Sequence, residues 1–81
     1  MAEKAKETFE IWDSERIRTA RQLAGITRDN AAELLSIHPA YLTMIEQDKR
    51  QPGPSVIARM AGLYNQPLAY FLKSEKNLVL A

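Results

Sequence analysis

The chain has 81 residues, of which 46% are hydrophobic and 26% are charged, so we expect one small folded domain rather than a multidomain protein or a disordered tail. The formal net charge is only +1, which by itself predicts no strong attraction to nucleic acid or to acidic membranes. Any such binding must come from the placement of the charges. The absence of cysteine excludes disulfides and thiolate metal sites as sources of stability.

The start of the chain, MAEKAKETFE, is charged and lacks the apolar core of a secretion signal, and no apolar run reaches the length of a membrane span. Together with the lack of cysteine, this favours a cytoplasmic protein that does not bind membranes. His38 is the one histidine, and the sequence has no Gly-rich phosphate loop, paired metal ligands or nucleophile elbow. We therefore expect a protein that is not an enzyme and that uses no metal and no cofactor.

Helix-breaking residues recur at intervals of about one short helix and predict an all-α fold of five helices. The first predicted helix covers residues 14–24, and either Asp13 or Ser14 can accept hydrogen bonds from its free N–H groups. The second begins after Thr27, which can cap it in the same way, and stops near Ser36. Helical spacing predicts the buried faces of these two helices: Ile17, Ala20, Leu23 and Ala24 on the first, and Ala31, Ala32, Leu34 and Leu35 on the second.

Three of the four prolines mark the starts of the remaining helices, because proline at the first helical position loses no hydrogen bond and already has a helical φ. The predicted third, fourth and fifth helices cover residues 39–47, 54–63 and 67–72. Asp48 and Asn65 stand where the third and fourth helices must end, and both residue types tolerate left-handed backbone geometry.

The two ends of the chain are predicted to lie outside the main domain. Residues 1–13 form an N-terminal extension, residues 14–72 the domain, and residues 73–81 a C-terminal tail. The apolar residues of both ends are candidates for covering the bundle or for a dimer contact: Phe9, Ile11, Trp12 and residues 78–80. Other large side chains at helical spacing are assigned to a core or an interface: Met60, Tyr64, Tyr70 and Phe71.

The stretch from Gly25 to Pro52 has helix-turn-helix spacing, with a capped short helix, a three-residue turn and a second helix. The segments IRTARQLAGIT, AAELLSI, IEQDKRQP and NQPLAYFL resemble, in order and spacing, the consensus blocks of the Cro and phage-repressor class of DNA-binding proteins, also called the xenobiotic-response-element family. The resemblance covers about residues 14–72. It implies a compact five-helix bundle of the lambda-repressor-like type.

In that family the second helix of the motif enters the DNA major groove, so the resemblance makes residues 39–47 the candidate recognition helix. Leu42 and Ile45 point to the core, and the opposite side is the groove-facing set: Ala40, Thr43, Met44 and Gln47. Of these, Gln47 alone is a type that pairs bidentately with a base, whereas the others can contact thymine methyl groups. We therefore expect weak direct readout of sequence.

The resemblance also implies contacts to the DNA backbone. The predicted phosphate-contacting residues flank the recognition helix: Arg28, His38, Tyr41, Lys49, Arg50 and Gln51. The alternative for the basic residues is a solvated loop. His38 can instead cap the third helix, and Tyr41 can lie against the second. For Arg21 and Glu46 the family implies a partly buried structural ion pair rather than a DNA contact.

Two classes of function remain open. The first is a sequence-specific transcriptional regulator of phage or prokaryotic type, a repressor that binds a near-palindromic site on double-stranded DNA as a homodimer. The antitoxin of a toxin–antitoxin pair fits the same sequence. The second class is a protein–protein interaction module that keeps the fold but has a protein partner, motivated by Pro39, Ala40 and Met44 on the exposed face of the recognition helix.

Overall fold

The computed structural model describes residues 11–73, and all structural statements concern this part of the chain. The all-α class is confirmed. The described residues form four α-helices and one short 3-10 helix: α1 (Ser14–Leu23), α2 (Arg28–Leu35), α3 (Pro39–Glu46), α4 (Pro54–Tyr64) and the 3-10 helix Leu68–Phe71. Residues 11–73 therefore contain four α-helices, and the predicted fifth is a 3-10 helix.

The difference lies in the segment after Pro67, where residues 67–72 were expected to form a fifth α-helix. Pro67 is itself extended, and the four residues that follow make a single 3-10 turn. Leu72 then adopts an extended conformation and pairs with Trp12 in an antiparallel bridge. Because Leu72 belongs to this pairing, the helix has no room for a second turn.

Side-chain caps define where the first two helices begin. Asp13 Oδ1 accepts hydrogen bonds from the backbone N–H groups of Glu15 and Arg16 at 2.9 and 3.3 Å, so Asp13 rather than Ser14 is the N-cap of α1. The Thr27 hydroxyl accepts from the N–H of Asn30 at 3.1 Å and caps α2, as predicted.

As predicted, α3 and α4 each begin at a proline and are followed by a residue with left-handed backbone geometry. Pro39 and Pro54 are the first residues of these helices. Asp48 (φ 63°) and Asn65 (φ 59°) are left-handed, and each follows the helix that it was expected to end. Ser36 has the same geometry (φ 59°) after α2, although serine is a residue type that seldom adopts it.

The core is a single cluster to which all four α-helices and the 3-10 helix contribute. Its buried hydrophobic members are Ile17, Ala20, Ala31, Ala32, Leu35, Leu42, Ile45, Val56, Ile57, Met60, Tyr64 and Phe71. Trp12, Ile26, Ile37 and Tyr41 are among the partly buried side chains that pack against it.

Three residues expected on the buried faces of α1 and α2 are exposed. Leu23 and Leu34 are 70% and 61% exposed, and Ala24 is exposed at the C-cap of α1. At about 100° per residue, Leu23 lies about 120° around the helix from Ile17, whereas Arg21 lies about 40° from it. Leu23 therefore points away from the core, whereas Arg21, which lies on the same side of α1 as Ile17, is buried.

The two described ends of the chain pair with each other. Around the bridge between Trp12 and Leu72, the N–H of Asp13 donates to the Phe71 carbonyl at 2.7 Å, and the N–H of Lys73 donates to the Ile11 carbonyl at 3.0 Å. We call residues 11–13 and 71–73 the terminal pair. Phe9 and residues 78–80, also proposed for covering or dimer contacts, lie outside the described residues.

Candidate nucleic-acid interface

The α2–turn–α3 unit is held together by small side chains and by a tight turn. Ala31 and Ala32 are fully buried on α2, where their small size lets α3 approach closely. After α2 the N–H groups of Ser36 and Ile37 return to the carbonyls of Glu33 and Ala32 at 3.1 and 3.0 Å. The chain then enters α3, where His38 Nδ1 accepts from the N–H of Ala40 at 3.0 Å.

His38 is therefore the N-cap of α3 in this geometry, which is the structural alternative considered from sequence. Its imidazole is exposed. A phosphate contact by the remaining ring nitrogen stays a prediction.

The two sides of α3 differ sharply in burial. Leu42, Ile45 and Glu46 are buried. Of the predicted groove-facing set, Ala40 and Gln47 are exposed, and Thr43 and Met44 are half-buried. The outward face of α3 thus offers one amide, one hydroxyl and a mostly apolar surface to a ligand.

Arg21 and Glu46 form a buried ion pair between α1 and the end of α3. Arg21 Nε donates to Glu46 Oε2 at 2.7 Å, and a second guanidinium nitrogen donates to Oε1 at 3.1 Å. Arg21 also donates to the carbonyl of Ile26 at 2.9 Å. The hydrogen bond with Glu46 raises the pKa of Arg21, so the guanidinium stays charged, and the bidentate pair joins α1 to the end of α3.

Arg28, at the start of α2, contacts two side chains of α3. Its Nε lies 3.4 Å from Glu46 Oε1, and one terminal nitrogen donates to the Thr43 hydroxyl at 3.4 Å. The Arg28 side chain remains 43% exposed. The guanidinium therefore lies beside the outward face of α3, with one part on Glu46 and the rest open to a ligand.

The loop between α3 and α4, residues 47–53, carries the other cations, and we call it the basic loop. Lys49 and Arg50 are exposed, and their N–H groups both donate to the Met44 carbonyl, at 2.8 and 3.3 Å. The Arg50 guanidinium lies over the Tyr41 ring at 5.2 Å from its centroid. The Tyr41 hydroxyl in turn accepts from the N–H of Gly53 at 3.4 Å.

Tyr41 is thus placed beneath the basic loop, where it supports Arg50 through a cation–π contact. Its hydroxyl already has a partner within the protein. A direct contact of Tyr41 with phosphate remains a prediction.

Gln51 differs from its neighbours, because its side-chain amide is bonded within the protein. The Oε1 atom accepts from the N–H groups of Ile11 and Trp12 at 3.0 and 2.9 Å, and Nε2 donates to the Trp12 carbonyl at 3.1 Å. Sequence reasoning placed Gln51 among the phosphate contacts. It had no signal for this arrangement, because the partners are backbone groups 39 and 40 residues away.

Tyr64 was assigned to a core or an interface, and it lies in the core with 2% of its surface exposed. Its hydroxyl has no hydrogen-bond partner among the described residues. Burial, with a smaller contribution from the nearby Glu46 carboxylate, raises the pKa of Tyr64 to about 12.

No helix in the described part of the chain is long and apolar enough to cross a membrane. Residues 11–73 also contain no group of three or more His, Asp or Glu side chains suited to a metal ion.

α2 and α3 form a helix-turn-helix unit: a capped short helix, a tight turn and a second helix. Cations flank the outward face of the second helix. The profile of the helix-turn-helix family matches residues 17–71. The chain belongs to this family, in its Cro and phage-repressor branch.

A curated relative is the HTH-type transcriptional regulator ImmR of Bacillus subtilis (strain 168). It is 36% identical to this chain over 61 residues, which are 75% of this chain and 48% of the relative. The chain thus spans about half the length of this relative.

Proposed function

We propose that the protein is a sequence-specific DNA-binding transcriptional regulator that acts in the cytoplasm as a repressor. The observation that carries the proposal is the outward face of α3 with cations on both sides, Arg28 before it and Lys49 and Arg50 after it. The family membership and the transcriptional regulator among its relatives support the same function. A net charge of +1 is compatible with it, because binding depends on the local placement of charge, and Arg28, Lys49 and Arg50 flank one helix.

In the proposed complex α3 lies in the major groove of double-stranded DNA, and Ala40, Thr43, Met44 and Gln47 face the bases. Arg28 contacts the phosphates on one side of the groove, and Lys49 and Arg50 contact those on the other. With Gln47 as the one amide on this face, direct readout is weak. Sequence-dependent DNA shape then supplies part of the specificity.

A homodimer on a near-palindromic operator completes the proposal, since two recognition helices one turn of DNA apart gain specificity that one helix lacks. The exposed apolar residues in the terminal pair and on the adjoining 3-10 helix are candidates for the subunit contact: Ile11, Leu72 and Leu68, which are 50%, 41% and 46% exposed. Sedimentation velocity over a wide concentration range tests this point. A monomer at every concentration would exclude the dimer.

The test of the function is a selection from random duplex DNA at about 150 mM salt, followed by anisotropy titration of the selected duplex against a scrambled one. A two-fold symmetric motif with at least about a thousandfold preference is the expected result. A preference below about tenfold would contradict the proposal.

The second candidate function, a protein-binding module or an antitoxin that holds a protein partner, is favoured by the exposed Pro39 and Ala40 on α3. Met44→Lys separates the two. The added charge preserves or strengthens nonspecific DNA binding, whereas it damages an apolar protein interface.

A further inference from the structure

The side-chain amide of Gln51 occupies the position that a neighbouring strand would take beside Trp12. In the terminal pair, the hydrogen bonds to residues 71–73 are made by Ile11 and Asp13, so the N–H and carbonyl of Trp12 point to the opposite side. Gln51 accepts from that N–H at 2.9 Å and donates to that carbonyl at 3.1 Å. One side chain therefore covers the strand edge that the terminal pair leaves open.

The same side chain belongs to the basic loop. Gln51 directly follows Arg50, and Pro52 after it is buried. The N–H groups of Lys49 and of Arg50 itself donate to the Met44 carbonyl. The backbone at Arg50 is thus fixed from both directions, while its guanidinium lies on the Tyr41 ring.

We propose that Gln51 is a positioning residue for DNA binding: its amide joins the basic loop to the terminal pair and thereby orders Arg50 for a backbone phosphate. The proposal rests on the proposed function and reassigns Gln51 from a phosphate contact to a structural link. An arginine held in place before binding loses less conformational freedom on the DNA than a mobile one. The link also makes the affinity for DNA depend on the terminal pair.

The first arm of the test uses the full chain without DNA. Gln51→Ala removes the partner of the Ile11 and Trp12 N–H groups, so their hydrogen exchange, followed by NMR, is expected to accelerate by at least about tenfold. Gln22→Ala is the matched control, because Gln22 is an exposed glutamine on α1, and it should leave both rates unchanged. Trp12 is the one tryptophan of the sequence, so its fluorescence reports the same change optically. Unchanged exchange in Gln51→Ala would overturn the proposal.

The second arm is a double-mutant cycle on DNA affinity with Gln51→Ala and Arg50→Ala. In the wild-type background, Gln51→Ala is expected to weaken binding about fivefold, the size that corresponds to ordering one flexible side chain on binding. In the Arg50→Ala background, it should weaken binding by less than about twofold, because the residue that it orders is gone. Factors that multiply in the double variant would show an independent Gln51–DNA contact and overturn the proposal.

The two arms separate this inference from the proposed function. Wild-type protein that binds no duplex would exclude the proposed function and the positioning role with it, whereas the exchange rates would still report the link itself. Wild-type protein that binds its operator, with multiplying factors in the cycle, would exclude only the role of Gln51. A global loss of folding is detected in both arms by the exchange of core amides such as that of Leu42.

Discussion

The Tyr64 hydroxyl shows how one polar atom can be tolerated in a small core. The side chain is buried on α4, and its hydroxyl has no partner among the described residues. A buried hydroxyl without a hydrogen bond reduces stability, because its hydration is lost and not replaced. The apolar area of the ring outweighs that loss.

Tyr64→Phe should therefore raise the free energy of unfolding at pH 7, by about 1 kcal/mol. The change in pH dependence has a definite sign. The unfolded chain loses the phenol proton near the ordinary pKa of 10.0 and the folded chain only near 12. Ionisation of Tyr64 therefore leaves the free energy of unfolding unchanged below pH 10 and lowers it as the pH rises from 10 to 12. Over that range the wild type should lose about 2 to 3 kcal/mol more than Tyr64→Phe.

Urea unfolding of both proteins between pH 7 and pH 12 measures these differences. Tyr70→Phe is the control, because Tyr70 is only half-buried on the 3-10 helix. A Tyr64→Phe variant that is less stable than the wild type at pH 7 would show that the hydroxyl has a stabilising partner.

Unlike the Tyr64 hydroxyl, the buried charged groups of Arg21 and Glu46 both have hydrogen-bond partners. Arg21→Ala leaves the Glu46 carboxylate buried with only Arg28 nearby, so the free energy of unfolding should fall by about 3 to 5 kcal/mol. Arg18→Ala, an exposed arginine on the same helix, should change it by less than about 0.5 kcal/mol. Equal effects in the two variants, measured by urea unfolding, would contradict a structural role for the pair.

Among the helices, starting points are encoded by nearby residues, and the contribution of each capping side chain can be measured on its own. Sequence allowed either Asp13 or Ser14 as the cap of α1, because both side chains can accept from free N–H groups. The structure places the Asp13 carboxylate on the N–H groups of Glu15 and Arg16. Its negative charge also interacts favourably with the positive end of the helix dipole.

Asp13→Ala should therefore lower the free energy of unfolding by about 1 kcal/mol, which corresponds to about 4 to 8 °C in Tm for a domain of this size. Ser14→Ala should leave Tm within about 2 °C, because that residue is already inside the helix. Differential scanning calorimetry of the two variants distinguishes the caps. A larger effect of Ser14→Ala would reverse the assignment.

Residues 67–72, predicted as a fifth α-helix, show how tertiary hydrogen bonds override a local helical preference. Apolar residues and Pro67 made residues 67–72 resemble a helix, but the local signal is weak over such a short segment. Hydrogen bonds between Asp13 and Phe71 and between Lys73 and Ile11 outweigh that local preference. Tertiary pairing thus stops the helix after one turn.

Over the molecule as a whole, the proposed DNA binding depends on which exposed cations lie beside the outward face of α3. Arg28→Ala and Arg50→Ala should each weaken binding to all DNA sequences alike and flatten the slope of log affinity against log salt by about one. Arg59→Ala is the control, because it removes the same charge from an exposed position on α4, outside the motif. Titrations at four or more salt concentrations measure the slopes. Unchanged slopes in the first two variants would remove Arg28 and Arg50 from the interface.

Local sequence signals were sufficient to predict the helix-turn-helix unit. The signals for helix starts and ends act within a few residues of one another. The starts at Thr27 and Pro39 and the ends at Asp48 and Asn65 could therefore be predicted from the sequence. The pair of Arg21 and Glu46 came from the family resemblance, because residues 25 positions apart have no local signal that joins them. The same resemblance supplied the candidate recognition helix.

Three features depend on contacts between distant parts of the chain and could not be predicted from the sequence. In the structure the last helix is a 3-10 turn, Arg21 is buried while Leu23 is exposed, and the Gln51 side chain bonds to the backbone of Trp12. A hydrogen bond to a backbone group does not depend on the identity of the partner's side chain, so no sequence pattern marks it. The physical reason is the same in all three cases: local preferences of a fraction of a kcal/mol are overruled by burial and hydrogen bonding of about 1 kcal/mol or more.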